Sequence, residues 1–422
     1  MKRFGFRLLG ILTLLVLSLS IALSLVSCDI KTPSDIDYAS THLKDFENIP
    51  TFNRAKFRKV ECLFRDYSAL EIPDAKALAE STAKLYFENF HEKIDTEDRE
   101  AVTNALLCCY AYATGDKYSV YRDASEFDNY ASDMSGSFYG IGVSVIHDKI
   151  EETITVSDVY AKSGAEEAGI LPGDLIIGAN GERLEDIGYT EVVNKLRDPS
   201  TTSVNVMILR DGVELTLTVA KKELVEESVK YSINEEKIGY IEISSFKRNT
   251  FLQFKEAIDY MKDNGAVGIV YDLRSNPGGY LDSVVDVLSY LSPEGTTIAS
   301  FSNDYKDTMT DGDSHSLSLP SVVICNEQTA SAGELFTAAM RDFDEEFGFF
   351  DVTVVGSTTY GKGVMQSSFH LGDGSYLTLT VAYYNPPSGK NYDGEGIIPD
   401  VPVAEDADPV VSAYEEILKL VK

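Results

Sequence analysis

The chain has 422 residues, 44% of them hydrophobic and 25% charged, a globular composition too long for a single ordinary core. Its formal net charge of -31 argues against nucleic acid, or an anionic membrane, as the partner of a basic surface. Acidic runs such as Asp344, Glu345 and Glu346 read as solvated faces.

At the N-terminus Lys2, Arg3 and Arg7 precede an apolar stretch, residues 8–26, which is the pattern of an export signal. The stretch ends Leu25-Val26-Ser27-Cys28 and resembles a bacterial lipobox, which implies cleavage before Cys28 and lipidation there. Residues 1–27 are then a signal peptide, residues 28–55 a polar tether, and the rest lies outside the cytoplasmic membrane. Two other readings stay open. The stretch could be an uncleaved anchor, since ~18 apolar residues nearly span a bilayer. It could also lead an ordinary secreted protein, although a better small-x-small cleavage site is lacking. Cys62, Cys108, Cys109 and Cys325 show no CxxC or Cys/His spacing, so no structural zinc site is expected. Cys108 and Cys109 read as buried thiols, and Cys62 could join a disulfide in an exported protein.

Residues 56–135 carry helical spacing. Apolar residues recur at three and four in "LEIPDAKALAESTAKLYFENFHEK" and in "TEDREAVTNALLCCYAYATGD", the second opening on a Thr96 cap. Over residues 136–224 the pattern turns to short strands. "YGIGVSVIHD" and "ETITVSDVY" are strands, "SGAEEAGILPGDLIIGANGERL" runs helix, turn, strand and Asn-Gly hairpin, and "YTEVVNKLRD" is a helix. A last hairpin turns about Asp211-Gly212. This order resembles a PDZ domain, mostly β with two helices. The resemblance puts a carboxylate-binding loop on Tyr139, Gly140, Ile141, Gly142 and Val143, whose successive N–H groups can cradle a peptide's terminal carboxylate.

From residue 225 to residue 422 strands and helices alternate, as in a layered α/β core: "KIGYIEISSF", "AVGIVYDLR" and "SVVICN" are strands, with helical stretches between them. "TASAGE" follows the third strand and opens a helix, which sets Ser331 at a helix N-terminus, where N–H groups and the dipole favour negative charge. A capping Thr329 or Ser331 would look the same. "DLRSNPGG" adds a tight turn whose backbone N–H groups are natural oxyanion donors. "YGKGVMQ" supplies a base in a chain whose five histidines fall in no suggestive motif: buried, Lys362 loses its charge more easily and can accept a hydroxyl proton. Gln366 could orient that amine, but in a straight strand the two Cα atoms would be ~13 Å apart, so the backbone must bend between them.

"DLRSNPGG", "NEQTASAGE", "YGKGVMQ" and "SGKNYDGEGIIPD", after a PDZ-like module, resemble in this order the C-terminal processing peptidases, or tail-specific proteases. The resemblance covers roughly residues 101–402 and implies a crotonase/ClpP-like protease core with no metal or organic cofactor. It implies Ser331 as nucleophile, Lys362 as base and Gln366 as supporting amide. Oxyanion donors fall on the backbones of Ala332 and of Gly278 or Gly279. The function it implies is a lipid-anchored, extracytoplasmic serine endopeptidase acting near protein C-termini, its partners being substrates with accessible tails. The alternative is an inactive PDZ-type protein that only captures C-terminal peptides, which would have no need of Ser331, Lys362 and Gln366 together. Gly333 stands where that family commonly has serine or alanine.

Overall fold

In the computed structural model, which describes residues 46–421 apart from 47, 50, 149–151, 303–307, 311–318 and 346, the chain opens on helices. The first three are α1 (Arg54–Tyr67), α2 (Ala75–Asn89) and α3 (Arg99–Ala113), and each begins where Asn53, Asp74 or Asp98 accepts from first-turn N–H groups. The cap of α3 is therefore Asp98 and not Thr96. Its carboxylate takes the N–H groups of Glu100 and Ala101 at 2.9 and 3.2 Å, and Thr96 lies too far back to reach them.

Phe57, Phe64, Leu78, Tyr86, Leu106 and Tyr110 from these helices form one core. Phe46, Ile49 and Phe52 are buried in the same core, so the folded unit begins inside the stretch expected to be a tether over 28–55. Three aromatic rings in mutual contact (Phe46, Phe52 and Phe57) outweigh the polar residues around them. Cys28 and residues 1–27 lie outside the described residues. On α3, Cys109 is buried but Cys108 is exposed, a correction to the expected pair of buried thiols; neighbours on a helix point about 100° apart. Cys62 and Cys325 likewise form no disulfide among the described residues.

A short strand, β1 (Val120–Arg122), and α4 (Ala124–Ser135) complete this region. A capping box of Asp123 and Glu126 starts α4, and Gly136 in the left-handed conformation ends it.

The next unit holds β2 (Ser137–Gly140), β3 (Val143–Asp148), β4 (Thr153–Val159), α5 (Gly164–Ala168), β5 (Leu175–Ala179), β6 (Glu182–Arg183), α6 (Leu184–Arg197), β7 (Ser203–Arg210), β8 (Val213–Ala220) and β9 (Lys222–Val225). Its main sheet has the order β3-β4-β5-β7-β8, all antiparallel, with β3 at one edge. Asn180-Gly181 and Asp211-Gly212 turn two of its hairpins with positive φ at both residues, as the sequence led us to expect. Chain entry and exit are tied together, since Asn249 Nδ2 donates to the carbonyls of Gly136 and Glu226 at 2.8 and 3.2 Å.

The C-terminal half builds on β10 (Val229–Ile233), β11 (Ile238–Ile243), α7 (Thr250–Asp263), β12 (Gly268–Asp272), α8 (Leu281–Ser289), β13 (Thr297–Ser302), β14 (Thr308–Thr310), β15 (Ser321–Cys325), α9 (Ala332–Glu345), β16 (Val352–Gly356), β17 (Val364–His370), β18 (Tyr376–Asn385), β19 (Val401–Pro402) and α10 (Pro409–Leu420). The sheet β10-β11-β12-β15-β16-β19 is parallel except at β10. Its central strands β12 and β15 are buried at every residue and mostly apolar, because both faces are covered. Residues of α7, α8 and α9 fill one core, and Ala413 and Ile417 of α10 fill another on the opposite side. A second sheet joins β1, β18, β13 and β14, with β17 paired to β18. Leu371, Leu377 and Leu379 of the β17–β18 hairpin pack into the helical N-terminal core. That packing holds the helical unit against the loop that carries Lys362.

Candidate active site

Strand β15 delivers the chain to a turn whose hydroxyl anchor is Thr329. Its Oγ1 donates to the Leu273 carbonyl at 2.7 Å, so Thr329 ties two strand ends together and is not a helix cap. Two residues later Ser331 has φ 54°, a left-handed conformation that a serine adopts only under constraint. Ala332 then starts α9, and its N–H has no acceptor among the described residues.

The turn after β12 comes up against Ser331. Fully buried Asn276 stitches the two together: its side chain donates to the Ile243 carbonyl and accepts from Gly278 N–H, both at 2.8 Å. Its own carbonyl accepts from Ala330 N–H at 2.9 Å. Gly278 has φ 99°, and a Cβ added there would lie 2.7 Å from Ser331 Cβ and 2.9 Å from Ala332 N, so only glycine permits this approach. Of the two glycines expected to supply an oxyanion donor, Gly278 is spoken for, because Asn276 Oδ1 already takes its N–H. Gly279 N–H has no acceptor among the described residues.

Lys362 sits between Gly361 and Gly363, which let its loop lie on residues 391–396. A Cβ at Gly361 would be 3.0 Å from Gly396 N, and one at Gly363 would be 2.7 Å from Asn391 Oδ1. Nζ lies 4.9 Å from the centre of the Tyr118 ring. Burial pushes the Lys362 pKa down from its ordinary value; the carboxylates of Asp116 and Glu334 oppose this, and Lys117 adds to it.

Glu334 joins the two halves. Its carboxylate is fully buried and accepts from Ser331 N–H at 2.9 Å, Lys362 N–H at 2.8 Å, Gly361 N–H at 2.7 Å and Thr359 Oγ1 at 2.6 Å. One side chain thus fixes the backbone of Ser331 relative to that of Lys362. No hydrogen bond links Ser331 Oγ to Lys362 Nζ. Tyr384 Oη lies between their segments, 3.4 Å from Ser331 Oγ and 3.2 Å from the Lys362 carbonyl.

The structure does not bring Gln366 to Lys362. It follows a register shift between Met365 and Gln366, the bend its spacing demanded, yet its Nε2 points to the Val364 carbonyl and Thr380 Oγ1, each at 3.4 Å. Asn276, Glu334, Tyr118 and Tyr384 were given no part by the sequence reading. For Glu334 a signal was present, since Ser331-Ala-Gly-Glu334 has the spacing of a capping box. Asn276 lay inside a motif, and the two tyrosines reach the site from distant elements.

In the smaller domain, the carbonyls of Ile141 and Gly142 accept from Ala165 and Tyr160 N–H at 2.8 and 3.1 Å. The N–H groups of Ile141 and Gly142 have no acceptor among the described residues. Gly142 has φ 87°, and a Cβ there would lie 2.2 Å from Ser163 Cβ. The loop therefore offers free donors beside the edge of β3.

The sequence pattern of peptidase family S41 matches residues 237–403, and that of the PDZ domain matches residues 131–209. The chain is 33% identical over 309 residues to carboxy-terminal processing protease CtpA of Bacillus subtilis (strain 168), covering 72% of this chain and 64% of that one. It is 31% identical over 326 residues to CtpB of the same organism, covering 75% and 65% of the two chains. It is 31% identical over 329 residues to a probable CtpA-like serine protease of Staphylococcus aureus (strain N315), covering 77% and 64%. The chain thus spans just under two thirds of the length of these relatives. Among solved structures, a photosystem II D1 C-terminal processing protease superposes with a TM-score of 0.48 at 23% identity, covering 87% of this chain and 96% of that one.

Proposed function

Because the chain belongs to peptidase family S41 and carries a PDZ domain, we propose that it is a lipid-anchored, extracytoplasmic serine endopeptidase that cleaves peptide bonds near protein C-termini. The observation that carries this reading is the Glu334 carboxylate, whose single oxygen Oε2 accepts from both Ser331 N–H and Lys362 N–H. In the reaction, neutral Lys362 takes the Ser331 hydroxyl proton as Oγ attacks the scissile carbonyl. The N–H groups of Ala332 and Gly279 stabilise the oxyanion, at a helix start and beside it. The lysine ammonium then protonates the leaving amine, and water, activated by the same lysine, hydrolyses the acyl-enzyme. Gln366 would join this set only if substrate turns its amide from Thr380 toward Nζ. Serine-to-alanine replacement at 331 tests the reading: hydrolysis and covalent labelling by serine reagents should both disappear.

In this reading the loop of Tyr139, Gly140, Ile141, Gly142 and Val143 binds the substrate's terminal carboxylate, and the tail adds as a strand to the edge of β3. Peptides with a free carboxylate and an apolar last residue should bind at least tenfold tighter than their C-terminal amides, measured by fluorescence anisotropy. Equal affinity for the two forms would contradict carboxylate capture.

The anchor rests on Leu25-Val26-Ser27-Cys28. The mature protein should begin at a lipid-modified Cys28 and fractionate with membranes, and Cys28→Ser should abolish lipid incorporation. An intact mass with unmodified Cys28 in a membrane-free fraction would count against it.

A further inference from the structure

Tyr118 reaches the site from the helical N-terminal unit, and its own turn is rigidly tied. Asp116 Oδ1 accepts from Tyr118 N–H at 2.9 Å, and Asp116 Oδ2 accepts from Ser119 Oγ at 2.5 Å. Ser119 Oγ in turn accepts from Thr380 N–H of β18 at 3.2 Å, and β1 continues the attachment by pairing with β18. The Tyr118 ring is thereby fixed to the hairpin that follows Lys362. Lys362 Nζ stands over this ring at 4.9 Å, and Lys117 Nζ stands 4.8 Å from the same ring and 5.1 Å from that of Tyr360. Tyr118 Oη is buried, with Lys117 nearby but no hydrogen bond of proper geometry.

We propose that Tyr118 is a positioning residue of the catalytic site, its ring face being the seat of the Lys362 ammonium while that lysine holds the proton taken from Ser331. The proposal rests on the reading of Lys362 as the base. An aromatic face attracts a cation and not a neutral amine, so the contact favours the protonated lysine. Burial works in the opposite direction. The charged groups that act on Nζ are Asp116 and Lys117 from the turn and Glu334 from α9, with the Tyr118 ring beneath it. Among the neighbouring tyrosines, Tyr360 of the lysine's own loop lies against Lys117 and Tyr384 of β18 donates to the Lys362 carbonyl. The carboxylates support the ring and Lys117 opposes it, so without the ring burial has less to overcome. The N-terminal unit then contributes directly to the chemistry.

The test reads the lysine itself. In Ser331→Ala protein, the rate of competitive acylation at Lys362, followed by peptide mass against pH, gives its titration midpoint. Tyr118→Leu should lower that midpoint by about half to one pH unit, while Tyr118→Phe, which keeps the face, leaves it in place. Tyr118→Met serves the same comparison if the leucine protein does not fold. With Ser331 intact, the pH limb of kcat/KM should move by the same amount as the midpoint. An unchanged midpoint in Tyr118→Leu, or an equal shift in Tyr118→Phe, overturns the seat. A midpoint that moves while the kcat/KM limb stays supports the seat and overturns Lys362 as the base.

Discussion

Arginine in place of Lys362 should lower kcat/KM for a tail peptide by about four orders of magnitude, with folding retained. The guanidinium keeps the positive charge and much of the reach, but it cannot release its proton at any working pH. Alanine at 362 should do the same for a different reason, having no base at all. The pH profile carries the sign of the mechanism. Only neutral amine can accept the Ser331 proton, and burial sets the Lys362 pKa below its ordinary value of 10.5. Activity should therefore rise with pH through that lowered value and fall away below it. Replacing His42, His91, His147, His315 or His370 singly should leave the limb where it is. Substantial hydrolysis by purified Lys362→Arg protein would show that another group takes the proton.

Glu334→Gln should be nearly as damaging, although residue 334 takes no proton. The carboxylate accepts from four donors at once, and a glutamine amide would turn an NH2 group toward two of them. Leaving buried donors unpaired costs about 1–3 kcal/mol each, so with two of them unpaired the unfolding free energy should fall by roughly 2–6 kcal/mol. The Lys362 loop also loses its tie to the Ser331 turn, and kcat/KM should drop by about a hundredfold or more. Urea unfolding and steady-state kinetics on the one variant read both effects. A Glu334→Gln protein with parental stability and rate would mean that the four hydrogen bonds do not hold the site.

Where the chemistry is local in the chain, the sequence was readable. Ser331 lies at a strand-to-helix turn and Lys362 between glycines, and each stands in such a setting here. The domain order and the Asn-Gly and Asp-Gly hairpins were legible for the same reason, since turn chemistry depends on adjacent residues. Partners distant in the chain were not. Whether Gly278 N–H is free depends on which way the Asn276 side chain turns, and that is decided by the Ile243 carbonyl on another strand. Gln366 depends on Thr380 across a hairpin, and Tyr118 on the pairing of β1 with β18. Phe46, Ile49 and Phe52 sit in a polar stretch without helical period, so their burial shows only when the helices they cover are assembled.

Reaction with a fluorophosphonate, followed by peptide mapping of the adduct across pH, is the most direct probe of a serine activated by a lysine. A single adduct on Ser331, forming faster as pH rises through the lowered lysine pKa and absent from Lys362→Arg protein, is the predicted result. Modification of a different serine, or undiminished labelling of Ser331 in Lys362→Arg protein, would contradict the Ser331–Lys362 mechanism.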